Sequence, residues 1–350
     1  MADLGSTSSW GAPGSAIQAQ DEPEILRETV PCPGCSGSDF ELILSTADHL
    51  TQLGGEFNLV RCTDCDLVIT NPRPVMESLG YFYPSDYSPY EPEEAAGGWW
   101  RRLLERSALR CHYGYPKQPA GLWTRLLAQL AMQKFPTRRK RHEWFPFRDG
   151  GKLLDVGCGG GVFLERMREF GWNVSGLELA ADVARRVELR TGITIHVGTL
   201  PHVDLGSQSF DAVTMWHVLE HVPNPRQLLK SAADLLRPHG LLVIEVPNIE
   251  SGTFAEFGPN WYGLELPRHF QHFSPKTLAA MLPAGAFRNV DVQQIGGRSW
   301  IKRSAERAIA AGSTEYARWL SGGKSFFTEQ AARTEANNKA DIIRLVAERI

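Results

Sequence analysis

The chain has 350 residues, is 42% hydrophobic and 22% charged, and carries a net charge of −3. These values belong to a globular protein with room for two domains, and they exclude a disordered chain. No apolar run approaches the ~18 residues of a membrane span, and the near-neutral balance excludes polyanion binding by the chain as a whole.

The first 20 residues are rich in Gly, Ser, Ala and Gln and lack a charged start followed by an apolar block. Residues 1–25 therefore predict a disordered tail, not a secretory signal. Six cysteines, four of them in two Cys-x-x-Cys pairs, fit a reducing, cytoplasmic compartment better than a disulfide scaffold.

Residues 26–95 hold both pairs, Cys32-Pro-Gly-Cys35 and Cys62-Thr-Asp-Cys65, with 26 residues between them. Each pair is a turn that aims two thiolates at one point, and two such knuckles make a tetrahedral sulfur cage suited to a structural zinc ion. Two disulfides or idle thiols are the alternatives. Strand-like runs at Phe40 to Leu44 and Phe57 to Arg61 would close a zinc ribbon. The aromatic run Tyr81-Phe-Tyr-Pro-Ser-Asp-Tyr87 follows, either facing a substrate or packing the ribbon, with packing favoured.

Residues 96–149 predict a helical linker or cap. Positions 99–148 carry twelve Lys/Arg against Glu105 and Glu143, together with Trp99, Trp100, Trp123 and Trp144. A solvated basic face is the first reading. Attraction of an anionic small-molecule acceptor such as a nucleotide sugar is the second, and peripheral contact with an acidic membrane or nucleic acid the third. Arg138-Arg-Lys-Arg141 lacks interleaved aromatics, which disfavours nucleic acid.

From residue 150 the pattern changes to strands alternating with helical segments, the mark of an α/β fold with a mostly parallel sheet. Leu153, Leu154 and Asp155 end a strand at a glycine turn (Gly157, Gly159, Gly161), and Val162 to Phe170 reads as a helix. The glycines let backbone approach a ligand closely, and the helix start suits a nucleotide-like cofactor. The Gly-x-Gly-x-x-Gly spacing of dinucleotide sites fails, because position 162 is Val162. Asp155 just before the turn repels a pyrophosphate and suits a cationic ligand.

A second strand ends in the acid Glu178, and a third (Ile193 to Val197) precedes Gly198-Thr199-Leu200. The fourth, Phe210 to Trp216, runs into His217-Val-Leu-Glu220-His221. A helix over 226–237 stops at Arg237-Pro-His-Gly240, and the fifth strand runs from Gly240 to Pro247. Residues 249–273, with Trp261, Arg268, His269 and His272, are too long and aromatic for a plain connector and read as a lid. Phe287 to Ile295 alternates as a sixth strand, residues 299–333 read as helical, and Asp341 to Glu348 suits a strand or a helix.

Over residues 150–350 the chain resembles the class I S-adenosylmethionine-dependent methyltransferases. The resemblance implies a doubly wound seven-stranded sheet with an antiparallel last strand, which decides the reading of Asp341 to Glu348. It implies an S-adenosyl-L-methionine site made of Asp155, Gly157, Cys158, Gly159, Gly161, Glu178, Leu179, Thr199, Leu200, Trp216 and His217. Glu178 would accept the ribose hydroxyls, and the loop after the third strand would flank the adenine. Cys158 reads as a small filler, since no base is placed to activate it. Trp216 is a pocket wall or core, the wall favoured. The ribbon ahead of this core looks like a bacterial subgroup of small-molecule methyltransferases, often accompanying polysaccharide, sugar-nucleotide or secondary-metabolite pathways.

Methyl transfer from a sulfonium needs alignment and, for an oxygen acceptor, a base. His221, His269 and Glu220 are the expected catalytic set, with a structural hydrogen bond as the alternative for Glu220. Similar quinone-pathway enzymes carry Glu-x-x-Glu-His at this cluster and can hold a divalent metal there. Here the first position is His217, yet His217, Glu220 and His221 still offer histidine and carboxylate ligands. The expected activity is methylation of a hydroxyl on a small polar metabolite such as an activated sugar. The alternatives are carbon or nitrogen methylation, a non-catalytic cofactor-binding module, and an oxidoreductase.

Overall fold

The computed structural model describes residues 23–83, 145–148 and 151–350, with isolated positions between 103 and 129. Most of the expected tail, the end of the aromatic run and most of the basic linker lie outside the described residues.

The amino-terminal part contains β1 (Arg27–Glu28), β2 (Phe40–Ala47), β3 (Glu56–Cys62), β4 (Val68–Thr70), β5 (Arg73–Pro74) and a short α1 (Met76–Leu79). The carboxyl-terminal part runs β6 (Lys152–Val156), α2 (Val162–Phe170), β7 (Asn173–Glu178), α3 (Ala181–Thr191), β8 (Ile195–Val197), β9 (Phe210–Trp216), α4 (Pro225–Leu235) and β10 (Leu236–Pro247). There follow α5 (Gly252–Phe257), β11 (Gln271–His272), α6 (Pro275–Met281), β12 (Phe287–Ile295), α7 (Arg298–Ala310), α8 (Ala317–Ser321), α9 (Gly323–Ala336) and β13 (Ile342–Arg349).

Seven strands form one sheet in the order β12-β13-β10-β9-β6-β7-β8. β10, β9, β6, β7 and β8 pair in parallel, and β13 is antiparallel to both β10 and β12. The carboxyl-terminal segment, for which periodicity left strand and helix open, is therefore the expected antiparallel strand. Strands buried on both faces need apolar residues of both parities. Leu153, Ala212 and Val243 face α2 and α3, while Leu154, Val213 and Ile244 face α4.

Local sequence sets the helix ends. Asn224 caps Gln227 N–H, with Pro225 in the first turn of α4. That helix ends at Leu235, two residues before the stop expected at Arg237. Pro238 disfavours helical geometry at the residue before it, and Leu236 already has the extended φ −76°, ψ 136°. At the end of α2, Gly171 (φ 110°) closes a turn in which Trp172 N–H reaches the Met167 carbonyl at 3.0 Å.

A second sheet, β11-β4-β3-β2, joins the two parts of the chain. Val60, Cys62, Leu67 and Ile69 share a buried cluster with the seven-stranded sheet. Phe57, Leu59 and Phe82 share another with Trp261, Leu264 and Ile301. Burial of each such large side chain contributes about 1.5–3 kcal/mol, so the ribbon is welded to the rest. Among the described residues no helix is long and apolar enough to cross a membrane.

Candidate active site

The chain reverses direction across the sheet between β6 and β9, and a crevice opens there beyond the carboxyl ends of the strands. The glycine turn after β6 forms one wall. Gly157 has φ +68°, and a Cβ there would lie 2.6 Å from Val218 in the loop after β9. Gly161 (φ +75°) would clash with Val187 of α3 at 2.5 Å. Close packing and left-handed backbone thus both require glycine at these positions.

Two buried carboxylates stand at the tips of β6 and β7. Glu178 accepts the Gly159 N–H at 2.9 Å and the Ala180 N–H at 3.0 Å, tying the turn after β6 to the turn after β7. Asp155 accepts the Thr214 hydroxyl at 2.6 Å. Cys158 is buried between them, and burial followed by the charges of Asp155 and Glu178 pushes its thiol far up. It is a neutral filler, not a nucleophile. Leu179 and Thr199 are exposed and Leu200 is buried. Trp216 is half-buried at the end of β9, 5.1 Å from the Phe163 ring, with the Arg344 guanidinium 5.2 Å above it. The expected cofactor residues thus come together around the ends of β6 to β9.

The loop after β9 starts at His217, whose φ of +55° is the left-handed region that a β-unbranched residue enters at a cost. Its N–H is held by the Glu245 carbonyl at 2.9 Å. Its ring lies between two carboxylates, with Nδ1 3.3 Å from Glu220 and Nε2 3.6 Å from Glu245. Burial alone would lower its pKa, but the two carboxylates outweigh it and hold the imidazolium up to about 10. Burial likewise opposes ionisation of Glu245, and Arg344 with His217 overcomes it and brings the carboxyl down to about 2. With no metal bound, His217 is therefore held as a cation between the two carboxylates. Beside it, Glu245, Arg298, Ser299, Trp300 and Arg344 line a cavity of about 210 Å³.

The segment 249–273 supplies the opposite wall. His269, buried, stands edge-to-face with His221 at a ring distance of 4.6 Å. His221 Nδ1 donates to the Arg268 carbonyl at 3.1 Å, and His269 Nδ1 to the Gly263 carbonyl at 3.1 Å. A carbonyl only accepts, so both Nδ1 atoms carry a proton, and in the neutral ring that leaves the lone pair on Nε2. Burial, then the neighbouring His221, His272 and Arg268 charges, pushes the His269 pKa well below the usual histidine range. Burial brings His272 down to about 3. Glu220 is fully buried, and its Oε2 has no hydrogen-bond donor among the described residues. One ligand atom each of Glu220, His221 and His269 lies within 4.8 Å of the others.

These shifts fix a pH dependence. His269 and His272 are neutral when folded and titrate near 6.5 when unfolded. The contribution of each is complete above pH ~6.5 and is lost as the pH falls below it, for His272 through about 3. His217 has the opposite sign, contributing fully below pH ~6.5 and losing that contribution as the pH rises through about 10. The urea midpoint is expected to fall between pH 7 and pH 5, with a shallower fall in His272→Gln. Equal slopes in the two proteins would contradict the assignment.

At the ribbon, Cys32 and Cys65 Sγ are 3.5 Å apart, as are Cys35 and Cys62. All four thiols are free and lie within 4.8 Å of one another. The spacing is too long for S–S bonds of about 2.05 Å and close to the ~3.8 Å edge of a tetrahedron with Zn–S near 2.3 Å. Both knuckles turn alike, with Ser36 (φ 67°) and Asp66 (φ 64°) left-handed after the second cysteine. The four cysteines fit a structural zinc ion.

Four groups around the crevice escaped the reading from sequence. Glu245 was visible as an acid inside the apolar run Leu241-Leu-Val-Ile-Glu245-Val. Tyr83 sat in a run assigned to packing; Phe82 does pack, but the Tyr83 hydroxyl reaches His221 Nδ1 at 3.1 Å. Asp48 and Thr70 had no local signal.

A family model described as a methyltransferase domain matches residues 127–292. A ubiquinone biosynthesis O-methyltransferase of Xanthomonas axonopodis pv. citri (strain 306) is 34% identical over 167 residues, which span 44% of this chain and 70% of the relative. A protein of the same name from Xanthomonas campestris pv. campestris (strain B100) is 33% identical over the same shares. Among solved structures, an S-adenosylmethionine-dependent methyltransferase from Archaeoglobus fulgidus matches with a TM-score of 0.41 at 20% identity, over 63% of this chain and 93% of that one. By its sequence relatives and its strand order, the chain belongs to the class I S-adenosylmethionine-dependent methyltransferases.

Proposed function

We propose that the chain methylates a hydroxyl oxygen of a small polar metabolite. The observation that carries this reading is the pair of imidazoles, His221 and His269, with ring centroids 4.6 Å apart and each Nδ1 bonded to a main-chain carbonyl. Bound S-adenosylmethionine would supply a methyl group on a sulfonium, which would leave as the neutral thioether as the acceptor oxygen takes the methyl carbon. The hydroxyl proton passes to His221 Nε2. His221 is preferred over His269 because it is only half-buried, whereas burial and neighbouring charge make His269 a poor base. His269 orients the hydroxyl, and Glu220 holds His217.

Asp155 and the glycine turn hold the methionine end of the cofactor and Glu178 its ribose. Leu179, Thr199 and Leu200 lie along the adenine, and Trp216 closes the pocket wall. The ring faces of Trp300 and Trp216 suit either an activated sugar, as the ribbon-bearing subgroup suggests, or an intermediate of ubiquinone biosynthesis, as the relatives' names suggest.

The donor-free Glu220 Oε2 favours a second reading of the same site. Glu220, His221 and His269 offer one carboxylate and two neutral imidazoles, a set suited to a divalent cation. A bound cation would supply Lewis acidity toward an acceptor hydroxyl.

Isotope-labelled methyl donor incubated with the protein and a metabolite extract tests the proposal, the labelled product being identified by mass spectrometry. An O-methyl product is expected, and a chelator in a parallel arm separates the two readings. A C-methyl or N-methyl product would overturn the oxygen assignment. Absence of labelled product with any extract would favour a cofactor-binding module without catalysis.

A further inference from the structure

The second sheet crosses from the cysteine ribbon into the wall of the crevice. The knuckle Cys62–Cys65 is the turn between β3 and β4, and β4 pairs antiparallel with β11, Ile69 opposite Gln271 and Val68 opposite His272. At the end of β4, the Thr70 N–H donates to the Phe270 carbonyl at 3.0 Å. Its hydroxyl donates to the His269 carbonyl at 2.6 Å and lies 3.3 Å from His272 Nε2. One residue thus holds the two main-chain carbonyls that follow the His269 side chain.

Asp48, after β2, makes two hydrogen bonds to Arg268 at 2.8 and 2.9 Å, and both side chains are fully buried. Arg268 also donates to the Phe82 carbonyl at 3.1 Å. The next residue, Tyr83, places its hydroxyl 3.1 Å from His221 Nδ1, the nitrogen that also donates to the Arg268 carbonyl. Since Nδ1 carries the proton, the Tyr83 oxygen acts as a second acceptor for it. A free imidazole favours the other tautomer, with the proton on Nε2. The ribbon side of the molecule therefore helps keep the Nε2 lone pair of His221 available.

We propose that the cysteine ribbon is a positioning part of the methyl-transfer site. Thr70, at the end of the β3–β4 hairpin, fixes the main chain of His269, and Phe57 of β3 packs edge-on against Phe82 at 5.6 Å, next to the Tyr83 that sets the tautomer of His221, so the state of Cys32, Cys35, Cys62 and Cys65 reaches the two imidazoles through this hairpin. The inference rests on the reading of these histidines as the groups that act on the acceptor. None of the bonds in this chain of contacts involves the glycine turn, Asp155 or Glu178, so cofactor binding is separate from it.

The test is long-range ¹H–¹⁵N correlation NMR of the histidine rings, on the full chain saturated with S-adenosylhomocysteine at pH 7.5. Wild type is compared with Tyr83→Phe, Thr70→Val and the conservative Thr70→Ser, and with wild type stripped of metal by a chelator. Wild type is expected to show His221 and His269 as single Nδ1–H tautomers. Tyr83→Phe and metal stripping should each bring the Nε2–H signature of His221 into view. Thr70→Val should shift the His269 ring signals and Thr70→Ser restore them, all with S-adenosylhomocysteine affinity within about twofold. Unchanged ring spectra in Tyr83→Phe and Thr70→Val would overturn the proposal, as would unchanged spectra in a stripped chain that stays folded. The spectra need no acceptor. Should the tautomers respond as expected while His221→Ala still turns over, the functional reading fails and the positioning network stands.

Discussion

His221→Ala is expected to lower methyl transfer by about 10²–10⁴-fold, the usual worth of a positioned general base, while S-adenosylhomocysteine affinity stays within about twofold. The separation follows from geometry. His221 lies in the loop after β9 and is bonded to Arg268 and Tyr83, whereas the carboxylates assigned to the cofactor stand at the ends of β6 and β7. His269→Ala is expected to lose turnover as well, because it removes the second Nε2 and leaves the Gly263 carbonyl without its donor. The two losses should not add, since the rings touch and act on one hydroxyl. Single-turnover measurements with saturating donor would check this, and undiminished turnover in both variants would remove the base from the mechanism.

The second large effect concerns stability. Asp48→Ala is expected to destabilise the fold by about 3 kcal/mol, because it removes both short bonds to the buried Arg268 guanidinium and leaves Glu265, 3.5 Å from Nε, as its carboxylate partner. Burial opposes ionisation of Asp48, but the two bonds and the charge of Arg268 outweigh it and hold its carboxyl below the usual range. The pair itself contributes far less than that figure, since both charges were desolvated to form it. Asp48→Leu combined with Arg268→Met should therefore recover most of the loss. Denaturant melts of the three variants would decide. A loss under about 1 kcal/mol in Asp48→Ala would mean that water reaches the site.

The parallel strands were legible because each is a short apolar run ending where chemistry begins, at Asp155, Glu178 or Trp216. The first cluster was legible because His217, Glu220 and His221 sit within five residues. What escaped were partners brought from far along the chain. Nothing around Asp48 or Thr70 announces a contact some 200 residues away, and the pairing of β4 with β11 has no periodic signature at two residues' length. His217 shows the same limit. As a residue type it suits a base or a metal ligand, and its charged state comes from two carboxylates, Glu220 in its own loop and Glu245 on a neighbouring strand, the second of which nothing beside His217 in the sequence announces.

The central claim is that the carboxylates at the tips of β6 and β7, with the glycine turn between them, bind one molecule of S-adenosylmethionine or its product. Isothermal calorimetry of S-adenosylhomocysteine into the purified chain, and into Glu178→Ala, tests it directly. The account predicts one site per chain in the wild type and an affinity about 10- to 100-fold weaker in the variant, the scale of a lost charge-assisted hydrogen bond. No heat with the wild type, or equal affinity in the two proteins, would contradict it.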